Sequence, residues 1–168
     1  MWEFSELRIE GYSLEFRVQS LEFRVSYKVE SWKLKVVKIT QALLDSLTEQ
    51  AKASPRLRMN LDLRNSEEDG SQRMLNAIEP GSPECIHRHR HTSETVVCIR
   101  GRVMEAFYDE LERIYTDVIE LSPCGPNVAV NIPAGQWHSI CALESGSVVL
   151  AVKDGRWEPL SEMDILSL

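Results

Sequence analysis

The chain has 168 residues and a formal net charge of −7, with 43% hydrophobic and 27% charged residues. That length supports one domain with its own core plus an appendage, and the composition excludes collagen-like and wholly disordered chains. The balance of 19 Lys+Arg against 26 Asp+Glu excludes a broadly basic nucleic-acid-binding face.

Residues 1–36 differ from the rest. Ser13–Val18 recurs without change as Ser20–Val25, a period of seven. Leu14, Phe16 and Val18 alternate with charged residues, as in a strand. An odd period puts the second copy on the other face of one continuous strand. The competing reading is a helix striped by Leu14, Val18, Leu21 and Val25, against which the β-branched and aromatic content counts. The segment holds six acidic and six basic residues, so the whole charge of −7 belongs to residues 37–168. Residues 1–36 are therefore expected to lie outside the functional domain. Translation of a repetitive region upstream of a start at Val37 would produce such a segment.

Thr40 is placed to cap a helix running to about Ala53, with Leu43, Leu44, Leu47 and Ala51 at helical spacing. Ser54 and Pro55 stop it. Residues 57–63 alternate like a strand, and 65–71 read as a loop. Short apolar stretches then recur at 72–79, 94–100, 102–109, 113–121, 128–132, 137–143 and 147–153, separated by Gly- and Pro-containing turns. Many short strands punctuated this way predict a sandwich or barrel. Ser161 followed by Asp164 marks a capped final helical turn. No apolar run reaches the roughly 18 residues of a membrane span. The charged start carries no secretion signal, so a cytoplasmic location is expected. Cys85, Cys98, Cys124 and Cys141 form no CxxC pair and are expected as free thiols.

All four histidines fall near one another in this pattern. His87 and His89 share a strand face, and Arg88 points the opposite way. A turn or bulge over residues 90–93 would place Glu94 at the start of the next strand. His138 follows the tight turn at Pro133 and Gly135 and faces inward with Ile140. Three neutral imidazoles and a carboxylate suit a divalent transition metal: iron, manganese, zinc or nickel. Four protein donors leave up to two positions open on a six-coordinate ion. His91 competes for the site, because it shares parity with His87 and His89.

These residues resemble the two motifs of the cupin superfamily. Gly81, His87, His89, Glu94 and Gly101 satisfy every spacing of the first motif. Pro133, Gly135 and His138 match the second, in which Asn127 replaces a leading glycine and Ala142 a trailing asparagine. The Gly81 to His87 spacing favours His87 and His89 over His91. The chain is more specifically similar to WbuC-type cupin metalloproteins over about residues 38–160. The similarity includes 53–58, 72–81, 99–102, 120–123 and 132–138. It implies a cupin jelly-roll, or double-stranded β-helix barrel, with a short N-terminal helix over residues 37–168. It also implies a homodimer and a link to bacterial surface polysaccharide (O-antigen) biosynthesis.

Gln72, Arg73 and Asn76 are expected at the cavity mouth. Arg88 and Arg90 are expected on a solvated strand face, and Arg100 and Arg102 on the surface beside Gly101. Phe107, Tyr108 and Trp137 are expected as core or rim packing. Three functions remain open: a metalloenzyme acting on a sugar or sugar nucleotide, a non-catalytic metal-dependent binding or sensor module, and a structural-metal scaffold. No general acid or base stands out.

Overall fold

A computed structural model describes residues 8–10, 13–18, 21–23, 36–83, 85–109 and 115–166. The chain divides into two compact units, Met1–Val37 and Lys38–Leu168. In the first, β1 (Arg8–Glu10), β2 (Ser13–Val18) and β3 (Leu21–Phe23) form a three-stranded antiparallel sheet. Phe16 pairs with Phe23 and Val18 with Leu21, so the two copies of the repeat meet as neighbouring strands. The helical reading of Leu14, Val18 and Leu21 is thereby corrected. Separate strands remove the face-flip that an odd period imposes on a continuous one. Val25 lies outside the described residues.

The second unit begins with α1 (Gln41–Ala53). Thr40 is its N-cap, accepting from the Leu43 amide, and Ser54 closes the other end. Leu44, Leu47 and Ala51 form its buried stripe. Among the described residues, ten strands follow: β4 (Arg58–Asp62), β5 (Ser71–Ile78), β6 (Ile86–His87), β7 (Glu94–Arg100), β8 (Val103–Tyr108), β9 (Tyr115–Leu121), β10 (Ala129–Ile132), β11 (Trp137–Ala142), β12 (Ser147–Asp154) and β13 (Ile165–Leu166). They make two five-stranded antiparallel sheets, ordered β10-β7-β12-β5-β4 and β13-β6-β11-β8-β9. The expected jelly-roll with one preceding helix is the architecture observed. The expected final helical turn is a 3-10 turn, Glu162–Asp164. Ser161 does not cap its backbone; its hydroxyl donates to the Asp164 carboxylate.

Strand alternation builds the two larger cores. Ile78, Val96, Cys98, Val103, Phe107, Leu121, Ile132 and Val149 pack between the sheets. On the outer face of the first sheet, Leu75, Ala77 and Val148 bury the helix stripe. Arg100 reaches from β7 to this helix, donating to the Leu44 carbonyl and the Thr48 hydroxyl, both at 3.0 Å, and pairing with Asp45. It is a helix staple rather than the surface residue expected from its place beside a turn. Arg102 is half-exposed, between Glu120 and Glu144.

Gly101 makes the β7–β8 turn at φ +76°, and an added Cβ would lie 2.4 Å from the Ser147 hydroxyl. Both the left-handed backbone and the contact exclude a side chain. Gly101→Ala is expected to lower unfolding free energy by about 2–4 kcal/mol in urea denaturation, from backbone strain plus overpacking. A loss under about 1 kcal/mol would show that the turn relaxes freely.

Candidate metal centre

His87 and His138 come from two neighbouring strands of one sheet, His89 from the segment just after the first of them, and the carboxylate from the facing sheet. β6 pairs with β11, with His138 directly opposite His87. His89 lies just beyond β6, where its carbonyl accepts from the Gly135 amide at 2.7 Å. The Pro133–Gly135 turn thus holds the end of the His87–His89 segment and starts the strand bearing His138. Glu94 opens β7 after the intervening bend at residues 90–93.

One donor atom each from His87, His89, Glu94 and His138 lie within 4.8 Å of one another. Glu94 Oε2 is 3.1 Å from His89 Nε2 and 3.4 Å from His138 Nε2. The ring centroids of His87 and His138 are 4.4 Å apart. His91, the competing histidine, is exposed and outside this cluster.

The donor set fits a divalent metal. His87 Nδ1 faces the Cys85 carbonyl at 3.1 Å, and His138 Nδ1 faces the Gln136 carbonyl at 2.9 Å. A ring nitrogen against a carbonyl carries the proton, which leaves each Nε2 with a free lone pair. Burial, with His138 and His89 nearby, holds the His87 imidazole at about 4, so it is neutral near pH 7. Burial alone would raise the Glu94 carboxyl; the adjoining His138 and His89 side chains outweigh it and keep the group ionised. A neutral His87 imidazole beside an ionised Glu94 carboxylate is in the state a transition metal requires of such ligands.

Several pocket residues carry no sequence motif. The cluster opens into a cavity of about 430 Å³ lined also by Gln72, Asn76, Glu105 and Lys153. Lys153 pairs with Glu94 across β12 and β7, and its Nζ is 3.0 Å from His89 Nδ1. Burial lowers its pKa, weakening the preference for the charged ammonium beside that imidazole. Its signal was parity: it follows Val149 and Ala151 on the inward face of β12. Of the residues expected at the mouth, Gln72 and Asn76 line the cavity. Arg73 does not. Adjacent strand residues alternate faces, and its guanidinium pairs with Asp69 at 2.6 Å.

Arg88 and Arg90 also depart from the solvated face expected. Arg88 stacks over Trp137 at 4.4 Å and donates to Asp164 at 3.2 Å. Arg90 donates to the same carboxylate and to the Met163 carbonyl. The C-terminal segment is thereby strapped beside the pocket, where Trp157 and Leu160 form part of its wall. Phe107, Tyr108 and Trp137 are buried, as packing residues should be. Among the described residues, no helix is long and apolar enough to cross a membrane.

Comparison with known proteins gives the following. The model of a domain of unknown function (DUF6016) matches residues 39–119. No curated protein matches the chain. Among solved structures, KdgF from Halomonas sp. is 16% identical at a TM-score of 0.49, over 62% of this chain and 84% of that one. An oxalate decarboxylase from Bacillus subtilis, described as having Mn(II) centres, is 22% identical at a TM-score of 0.46. That match covers 66% of this chain and only 28% of the decarboxylase. A putative sugar phosphate isomerase from Acidithiobacillus ferrooxidans is 22% identical at a TM-score of 0.46, over 58% of each chain.

The strap makes a pH-dependent expectation. The Ser161 hydroxyl, then Arg90 and Arg88, hold the Asp164 carboxyl down to about 2. A folded value below the unfolded value of about 3.9 stabilises above that pH and is lost as pH falls through about 2. Asp164→Ala should therefore speed amide exchange across 161–166 at pH 7. The wild-type segment should approach the variant's rate only near pH 2. Equal exchange at pH 7 would show that the arginines do not hold the strap.

Proposed function

We propose that residues 37–168 form a metal-binding cupin domain in which His87, His89, Glu94 and His138 hold one divalent transition metal beside a small-molecule pocket. The observation that carries this reading is the convergence of three imidazoles and a mostly buried, ionised carboxylate at the mouth of a jelly-roll. Structural zinc sites are commonly sulfur-rich, and this donor set contains no thiol. Nitrogen and carboxylate donors suit iron, manganese, zinc or nickel. Residues 1–36 lie outside this functional domain in the same reading.

When bound, such an ion supplies Lewis acidity to an oxygen-bearing ligand. The chain's own residues do the rest. Gln72 donates through Nε2 to the Arg156 carbonyl at 2.9 Å, which fixes its amide at the pocket wall. Met74, Val96 and Val149 give the pocket apolar sides that exclude water, and Trp157 and Leu160 close it from the C-terminal strap. A cavity of about 430 Å³ accommodates a small metabolite. The likeness to WbuC-type proteins favours a sugar or sugar nucleotide of bacterial surface polysaccharide biosynthesis, in the cytoplasm.

The test is metal content. His89→Ala or His138→Ala should abolish stoichiometric metal in protein purified without a histidine tag, while His91→Ala should retain it. Loss of metal in the His91 variant as complete as in the other two would overturn this ligand set.

A further inference from the structure

Glu105 lines the same pocket but is no member of the metal cluster. It lies in the middle of β8, on the inward face that also carries Val103 and Phe107. Its side chain is 1% exposed, and Oε2 has no hydrogen-bond partner among the described residues. A buried polar atom left unsatisfied at a pocket wall is rare in folded proteins and calls for a partner.

The charges around it define that partner. Glu94 and the three histidines face the pocket from β6, β7, β11 and the segment after β6; Arg58 faces it from β4, Lys153 from β12 and Glu158 from the C-terminal strap. Burial, reinforced by the Glu94 charge, raises the Glu105 carboxyl well above the usual carboxylate range, and Arg58 opposes this only in part. Burial and the Glu94 charge both favour the protonated carboxyl, the form that can donate a hydrogen bond. Arg58 donates to the Ser82 hydroxyl and, at 2.6 Å, to the Ile140 carbonyl, so its cation is held in the pocket wall. With a divalent ion bound, the pocket is positive whether or not Lys153 keeps its proton. A positive pocket with a neutral acid in its wall favours an anion rich in oxygen acceptors.

We propose that Glu105 is a ligand-contacting residue, whose carboxyl donates a hydrogen bond to an oxygen of a small carboxylate held between it and the metal. The ligand carries a second oxygen on the carbon next to the carboxylate. Such a molecule would offer two oxygens to an ion held by His87, His89, Glu94 and His138. This inference rests on the metal-centre reading above. It adds to it a charge and a donor that the four ligands do not supply.

The probe is glycolate, with glycolamide as its uncharged counterpart, titrated into Co(II)-loaded full-length protein and followed by the visible absorption of the metal. Glycolate should bind at least about tenfold more tightly than glycolamide. Glu105→Ala should weaken glycolate about 10- to 100-fold, whereas Glu105→Gln, which keeps an N–H donor at that place, should stay within about threefold of wild type. An infrared difference between wild type and Glu105→Gln should show a protonated-carboxyl C=O band at pH 7 that shifts when glycolate is added. Equal binding by wild type and Glu105→Ala would overturn the proposal. So would no binding of glycolate by the loaded wild type, absence of the band, or a band indifferent to glycolate. If Glu105→Ala does not fold, the Gln variant and the infrared shift decide. Failure of wild type to take up cobalt would sink the metal-centre reading instead. The band, recorded on metal-free protein, would still report whether Glu105 is the neutral donor.

Discussion

Placement of the mostly buried Glu94 carboxylate between the imidazoles of His89 and His138 is the constraint around which the site is organised. A carboxylate removed from water costs several kcal/mol unless it is paired and hydrogen-bonded. Here its Oε2 lies 3.1 Å and 3.4 Å from two ring nitrogens. The third imidazole, His87, is pressed against His138 and is neutral. Three mutually close imidazoles, two of them with carbonyl-held Nδ1 atoms, make poor cation partners for one another and are placed to serve one ion together. A bound cation would relieve both the buried charge and the crowding of lone pairs.

The same few residues serve two faces. In the sequence His87–Arg90, the imidazoles point into the barrel and the guanidiniums point to the C-terminal strap. β13 pairs with β6 directly opposite His87, so the strand that presents the histidine also anchors the segment beside the pocket. On the other sheet, the inward face of β12 runs from Val149 in the core to Lys153 at the metal cluster. The barrel thus passes from a closed apolar end to a charged open one, by changing residue type along strands whose geometry stays regular.

Much of this was legible in the sequence, because local rules governed it. The Thr40 cap, the Leu44, Leu47 and Ala51 stripe and the strand runs emerged within a residue or two of their expected places. The histidine spacings were legible for the same reason: turn glycines and strand parity are short-range features. The repeat was harder. Its seven-residue offset suggested one element of either kind, whereas the copies pair as separate strands. Lys153 and Glu105 were missed, because only the pairing of β12 with β7 and of β8 with β11 brings them to the pocket from distant parts of the chain. Arg73 was misplaced by one step of strand parity, and Arg88, Arg90 and Arg100 by partners far away in sequence. Surface composition carries no record of such partners.

The central claim is that these four side chains share one ion. Anomalous X-ray diffraction from crystals of untagged, metal-loaded protein, collected at the absorption edge of the metal found by elemental analysis, tests it most directly. The account expects a single strong peak per chain, enclosed by His87, His89, Glu94 and His138, with His91 taking no part. A loaded protein whose peak lies elsewhere, or that shows none at this cluster, would contradict it.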